Sequence, residues 1–529
     1  LQSTLSPANK TFLPFTPRIG TDVEIPGCLQ PLVTHTVMDL FDDTDLTHWN
    51  TMIGPTTGAI KTTESINEFV KTSKTLLTDY PEMSRPVLTK GPNQTFNAVS
   101  TRLHSVVTMR RYDINPKEEF LGIATAFFRR DWQTQVNTWR HNNPLNFDGE
   151  EIRSWLRERP GSLKIDQELE SILSEGLTIH RLNDLKVHNK LESLLKEDVQ
   201  EQPFTQQKIR IIVWQMKGMC AMFAPVFLEA KKRLKALLNE TTIYADGLTP
   251  DELAQRLKSV TGAEWFFEDD GKKQDRQTDG PDLECEFYIY EQLGVHPRVL
   301  SLWRQVHRHW KYKGTNVSGV LDFMRMTGQA TTALGNVIIN MLIHWRIVKE
   351  NAGHIKINLL LGDDNLIASA KKIDSSQQKK IGKDYYNMAC ESFHRKTYGT
   401  FLQMVAYHRE DGTLGLGPDV HRLRQRFEVT NGVSKLNDDN MIARAMSYAM
   451  MLGQSSAIDN MVAIKNWPIK PLLWHDLTAS IQASARRHGL TVAEVENDFK
   501  LLCSYMSSPT IRVVEFQHGT EARHKQRKS

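Results

Sequence analysis

LLLGDDNLIAS, residues 359–369, sets two adjacent acids between two apolar runs. Charges taken out of water are costly unless something compensates them, so Asp363 and Asp364 need a reason to be there. Extended back to Lys356, the stretch reads strand, two-residue turn, strand: Gly362 supplies a permissive backbone and Asp-Asp-Asn suits a tight turn. A surface hairpin with a polar tip would show the same pattern. G-D-D also arises by chance in a chain of this length with a probability on the order of 0.1. The meaning of the hairpin therefore depends on its neighbours.

Upstream, EWFFEDDGKKQDRQTD (264–279) drives an aromatic strand up to Asp270, and Asp275 follows five residues later. A carboxylate at one strand end beside carboxylates on a neighbouring hairpin is the arrangement that holds two Mg²⁺ about 4 Å apart, with the cations offsetting the repulsion between the acids. Two unrelated acidic turns are the alternative. A third segment, RMTGQATTALGNVIIN (325–340), puts Thr327-Gly328 on a small-residue loop, with Thr332 and Asn336 at i and i+4 on the helix that follows. Short polar side chains on one helix face can form a hydrogen-bonding platform for a ribose, and the glycine lets the backbone come close to a template strand. A capped helix would use the same residues.

The rest of the 529-residue chain sets limits. Apolar residues at 40% and charged residues at 24% are ordinary globular values, and the length calls for two or three sub-domains. A net charge of +4 does not by itself establish a polyanionic partner. Five scattered cysteines give no zinc-ligand pattern and fit a reducing compartment. The most apolar run, NVIINMLIHWRIV (336–348), is interrupted by His344 and Arg346, so no membrane span is expected. The start at Leu1 points to a processed product or a trimmed piece of something larger. A Pro-punctuated arm over the first ~25 residues and a basic tail read as solvated ends. Between them, IRIIVW, EWFFED, KINLLL and FLQMVAY read as strands. Stretches 221–239, 285–310 and 330–349 read as helices, as do MIARAMSYAMMLG and HDLTASIQASARRHG beyond 430. The pattern predicts an α+β sheet domain carrying two helical appendages.

Together the three segments resemble the motifs of viral RNA-dependent RNA polymerases: D-x4-D at Asp270 and Asp275, [ST]-G-x3-T-x3-N at Thr327, Gly328, Thr332 and Asn336, and G-D-D at 362–364. DGKKQDRQTD is similar to the D-x-x-K-x-D-K-S-Q form of the alphavirus-like supergroup of positive-strand RNA viruses, with Lys273 at the first lysine and Arg276 at the second. KIRIIVWQMKGMCAMFAPVFLEAKKRL resembles that group's basic motif F, near 206–235, and YGTFLQMVAYHREDG its motif E hairpin. Thr327 replaces the usual serine, Gln274 the usual aromatic, and Leu402 the usual cysteine.

The resemblance implies an α+β right hand: an N-terminal extension and fingers at 1–262, palm with an antiparallel sheet at 263–284, a fingers insertion at 285–318, palm again at 319–430, and a helical thumb with a basic tail at 431–529. It implies Mg²⁺, with Mn²⁺ as a substitute, held by Asp270, Asp363 and Asp364. Asp275, Thr332 and Asn336 would read the ribose 2′-hydroxyl beside Thr327 and Gly328. Lys273 and Arg276 would face the NTP, and Lys208, Arg210 and Lys217 would neutralise triphosphate and template phosphates. Lys396 is the candidate general acid, with Lys383 its rival. The implied partners are template and nascent RNA, NTPs, methyltransferase and helicase domains of a larger replicase and, through them, host membranes in cytoplasmic replication complexes. A reverse transcriptase-like polymerase and a non-catalytic RNA-binding replicase subunit are the alternatives.

Overall fold

Strand Trp265–Gly271 organises the fold because its side chains alternate between two apolar cores, with Phe266 in one and Phe267 in the other. It lies in a five-stranded sheet ordered Cys390–Arg395, Trp265–Gly271, Asp364–Ser369, Ile355–Leu361, Thr242–Tyr244. Only the pairing with Thr242–Tyr244 is parallel. In this computed structural model the described residues are 110–158, 210–271, 274–308, 310–314, 317–321, 324–427 and 476–507. Shorter pieces lie at 61–62, 71–76, 84–86, 98–100, 102–103, 167, 184–189, 193–195, 429–430, 447–448, 451–452 and 513–518. The proline-rich arm, the basic tail, Lys208 and Lys273 lie outside the described residues, as does most of MIARAMSYAMMLG.

On the front of the sheet, Phe266, Ile357, Leu359, Leu366 and Ala368 pack against helix Pro250–Lys258 and a three-stranded sheet of Gly399–Phe401, Met404–His408 and Leu414–Pro418. Gly399 lets the two sheets touch, since a Cβ there would lie 2.8 Å from Leu366 and 3.0 Å from Phe266. On the back, Phe267, Leu360 and Ile367 join a larger core with helices Thr332–Glu350 and Ser375–Tyr386. Each such buried side chain contributes about 1.5–3 kcal/mol. Both faces are covered, which is why KINLLL reads as a nearly continuous apolar run.

The stretch expected as one helix over 285–310 is two, Gly280–Gln292 and Pro297–Val306. Gly294 breaks it in the left-handed region (φ 86°), and Pro297 is set at the start of the second helix, where its missing N–H costs nothing. Trp310 then opens a strand, Trp310–Lys313, of a second sheet that also contains Ile211–Gln215. FLQMVAY is likewise interrupted: Leu402 and Gln403, both at positive φ, turn the chain between two strands. Beyond them lie helices Val420–Phe427, Leu477–His488 and Val492–Ser507. Among the described residues no helix is long and apolar enough to cross a membrane. Helix and sheet are mixed, in keeping with the expected α+β fold.

Candidate active site

The hairpin forms as read: Leu361 pairs with Asp364, leaving Gly362 (φ 60°) and Asp363 as the two-residue turn. Asp364–Ser369 also pairs with Trp265–Gly271, with Leu366 opposite Glu268. Continuing that register by two residues sets Asp364 across from Asp270. Asn340, on helix Thr332–Glu350 behind the hairpin, donates its amide toward the carbonyls of Gly362, Asp363 and Asp364 at 3.4, 3.2 and 3.3 Å. The turn is thus held through its backbone, and the carboxylates of Asp363 and Asp364 remain exposed.

The electrostatics are those of acids forced together. Partial burial, then Asp363 and Asp270, push Asp364 up to about 6, while a hydrogen bond from the Leu402 N–H opposes the shift. Asp270 is raised by burial and by Asp363, Asp269 and Glu391, and lowered by the nearby Arg210. Arg210 is exposed and stands just before strand Ile211–Gln215 rather than within it.

Asp269, one residue earlier, points to the other face. It is buried and accepts from Ser392 Oγ (2.7 Å) and Gln378 Nε2 (3.3 Å), and it meets His344 Nε2 at 2.8 Å. Burial works to raise it, but the bonds to His344 and Ser392 outweigh that and hold it below the usual carboxylate range. His344 Nδ1 meets the Asn340 carbonyl at 2.7 Å, so the support of Asp269 and the hairpin clamp share one helix turn. Glu268, on the front face, is tied to Arg395 and Thr400.

In the third segment the hydroxyls are already engaged. Val213 N–H donates to Thr327 Oγ1 (2.7 Å), while Thr332 Oγ1 accepts from Gln329 N–H (2.8 Å) and donates to the Met326 carbonyl (2.9 Å). Gly328 is needed for close approach to the chain itself: it bridges Trp214, and a Cβ would lie 2.6 Å from the Val213 oxygen. Asn336 differs, because among the described residues its buried Oδ1 has no hydrogen-bond partner. Its carbonyl accepts from Gln274 Nε2 at 3.2 Å, which ties the segment after Asp270 to this helix. Asp275 and Arg276 fall in the short helix Gln274–Gln277, but their side chains are outside the description. Lys217 is the exposed first residue of helix Lys217–Leu237.

Lys396 is not brought to the acids. It follows strand Cys390–Arg395, in which Glu391 pairs with Asp270 and Arg395 with Phe266. That places it about 17 Å along the sheet from Asp270 at a strand rise of about 3.3 Å per residue. There its ammonium lies over the Trp265 ring, 4.9 Å from the centroid, and 3.7 Å from Glu264. Lys383 is exposed on helix Ser375–Tyr386.

Among the described residues no three Asp, Glu, His or Cys side chains converge as a metal-binding group. The donor set still suits a divalent ion: exposed, mutually repelling carboxylates on a fixed turn, Asp364 with a raised affinity for positive charge. Uncompensated acids keep apart until a cation draws them together.

Fold and site define a mixed helix-and-sheet protein with an acidic hairpin at one end of its central sheet and a polar helix face behind it. Residues 88–401, more than half of the chain, match the family described as RNA dependent RNA polymerase, and the chain belongs to that family. It is similar to the replicase large subunit of Tobamovirus Ob, 23% identical over 217 residues, which are 39% of this chain and 13% of that protein. It is also similar to the replicase polyprotein 1ab of Beet yellows virus (isolate Ukraine), 25% identical over 288 residues, 50% of this chain and 9% of the polyprotein. The RNA-directed RNA polymerase 2a of Alfalfa mosaic virus is 25% identical over 170 residues, 32% of this chain and 21% of that protein. The likeness to the alphavirus-like supergroup is borne out. The chain thus spans a small fraction of the length of these relatives.

Proposed function

We propose that this chain is the polymerase part of a viral replicase and copies RNA by two-metal nucleotidyl transfer from NTPs. The observation that carries the proposal is Asp270, near the end of its strand, set by the strand register across from Asp364 of the clamped hairpin, each acid raised by burial and by its neighbours. In this reading the four antiparallel strands of the central sheet lie in the palm of a right hand, over 263–284 and 319–430. Region 1–262 is an N-terminal extension and fingers, 285–318 a fingers insertion, and 431–529 a helical thumb with a basic tail.

Asp270, Asp363 and Asp364 would hold Mg²⁺ or Mn²⁺, which when bound lowers the pKa of the primer 3′-hydroxyl and neutralises charge on the triphosphate. Arg210, whose charge reaches Asp270, then binds the triphosphate with Lys273 and Arg276, while Lys208 and Lys217 bind template phosphates. The Oδ1 of Asn336, unpartnered among the described residues, accepts a hydrogen bond from the ribose 2′-hydroxyl, with Asp275 as second reader. Thr327 and Thr332 shape the loop and do not contact the sugar, since their hydroxyls are engaged. Lys396 is left out as general acid because of its distance from the acids. Methyltransferase and helicase functions belong to other parts of the replicase, assembled on host membranes in the cytoplasm.

The test is primer extension on a short RNA duplex with either metal and with rNTPs or dNTPs. The parent should extend with rNTPs, Asp270→Ala and Asp363→Ala should abolish synthesis, and Asn336→Ala should lose rNTP use far more than dNTP use. Equal use of both sugars by the parent would favour a reverse transcriptase-like enzyme. Metal-independent failure with all three acids intact would favour a non-catalytic RNA-binding subunit.

A further inference from the structure

Asp275 sits in the short helix Gln274–Gln277, and both ends of that helix are held from elsewhere in the chain. Its start is fixed by Gln274, which donates to the Asn336 carbonyl at 3.2 Å. Its end runs through Thr278, whose hydroxyl donates back to the Gln274 carbonyl at 2.9 Å, into Asp279, the N-cap of helix Gly280–Gln292. Asp279 is buried, and its Oδ1 accepts from Arg110, a residue that none of the sequence motifs includes.

Arg110 also reaches a second helix. Helix Ser375–Tyr386 stops at Asn387 in the left-handed region (φ 58°), and the carbonyls of a last helical turn lack partners within their own helix. Arg110 Nη1 donates to the Tyr385 carbonyl at 3.1 Å, while the N–H groups of Arg111 and Tyr112 donate to that of Asp384 at 2.7 and 3.0 Å. One guanidinium therefore stands between the C-terminal end of one helix, whose dipole favours a cation, and the acid that caps another. Beside it, Ala389 N–H donates to Gln277 Oε1 at 2.6 Å, a second tie between the same two segments. The charges show which acid is the partner. Arg110 lies 3.7 Å from a further carboxyl, Asp282, and all three side chains are at most 3% exposed. Burial acts against the Arg110 charge, but Asp279 and Asp282 outweigh it and hold the guanidinium above its usual range. Burial and then Asp279 push Asp282 well above the usual carboxylate range, with Arg110 opposing. Asp282 thus keeps its proton, and Arg110 and Asp279 form the charged pair.

We propose that Arg110 is a positioning residue for sugar selection: by joining Asp279 to the end of helix Ser375–Tyr386, it fixes the short helix that carries Asp275 relative to Asn336. The proposal rests on the polymerase reading and on the roles given there to Asp275 and Asn336. Asp270 is held separately, by strand pairing with Glu391, so metal binding does not depend on Arg110.

The test uses the full chain with Arg110→Met and Asp279→Asn together. Removing both charges leaves no buried ion uncompensated, and Asn still caps the helix, so the double variant should melt close to the parent. Asp282→Asn, which exchanges a neutral acid for an amide of the same shape, controls for disturbance of the cluster. Amide hydrogen exchange should show residues 274–279 and 384–389 losing protection together in the double variant, with helix Leu477–His488 unchanged. In primer extension, kcat/KM for rNTP relative to dNTP should fall by about tenfold or more through a raised KM for rNTP, at an unchanged Mg²⁺ requirement. Asp282→Asn should leave both readouts as in the parent. Unchanged protection, lost protection with an unchanged sugar ratio, or an equal loss in Asp282→Asn would overturn the role. If the double variant does not fold, Arg110→Lys decides: it keeps the charge but has one terminal amine for two partners, so its sugar ratio should fall in smaller measure, and the parent's ratio would overturn the role. A parent that makes no RNA would sink the polymerase reading and the sugar role with it, while joint loss of protection would still support the link.

Discussion

Replacing Asp364 with Asn removes a charge from the acidic turn and keeps an oxygen for the Leu402 N–H. The carboxyl rises from 3.8 to about 6 on folding. Two pH units would correspond to roughly 3 kcal/mol at ~1.4 kcal/mol each. The side chain is open to solvent, and screening reduces this to about 1 kcal/mol. The sign follows from the raised value. The folded chain binds the extra proton between about pH 4 and 6, so the stability is present below that window and is lost as pH rises through it. At pH 7.5 in EDTA, Asp364→Asn should therefore melt higher than the parent, by about 1–2 °C for a cooperative unit of a few hundred residues. Near pH 5 the gap should shrink as the parent takes up its proton. Millimolar Mg²⁺ should stabilise the parent more than the variant and close the gap from the other side. Thermal melts over this grid of pH and metal decide the matter. A variant that melts at or below the parent at pH 7.5 without metal, or a gap indifferent to pH, would refute the account of crowded acids.

Two further outcomes follow from the packing around the hairpin. Gly328→Ala should cost about 1–3 kcal/mol, because its Cβ meets backbone and a strand must move; an unchanged melt would show that the Trp214 contact is loose. Asn340→Leu keeps volume but strips three carbonyls of their donor. Stability should fall by about 1–2 kcal/mol, and turnover at saturating NTP should drop at least tenfold with KM unchanged. A rise in KM alone would place Asn340 in substrate binding.

What the sequence showed clearly was local. The aromatic run into Asp270, the GDD turn and the helix from Thr332 are fixed by alternation and by Gly362, and all three form where their residues predict. The merged helix over 285–310 arose because apolar periodicity continues across Gly294 and Pro297, whose breaking effect had to be given more weight than the pattern. The roles of Thr327, Thr332 and Gly328 could not be read because their partners, Val213, Trp214 and the turn at Met326, are set by tertiary contact. Spacing places hydroxyls on a face but does not say whether they are still free. Asn340 is missed for a similar reason: nothing in the chain near it shows that a distant turn is its neighbour. Lys396 is the general acid that the resemblance implies, and antiparallel pairing carries it away from Asp270 toward the opposite end of the sheet.

The alternation at Asp269 and Asp270 has a consequence for how such a chain tolerates change. The two residues have the same chemistry, yet one is a buried strut between two helices and a strand, and the other faces open water. Neither can stand in for the other. Loss of Asp270 is not rescued by the acid next door, and a one-residue insertion or deletion within WFFEDDG would present the wrong carboxylate to each side. His344, Gln378 and Ser392 act as a keyed socket that accepts the strand in one phase only. The doubled aspartate is therefore a reading-frame mark written in protein, and it keeps Asp270 in phase with Asp364.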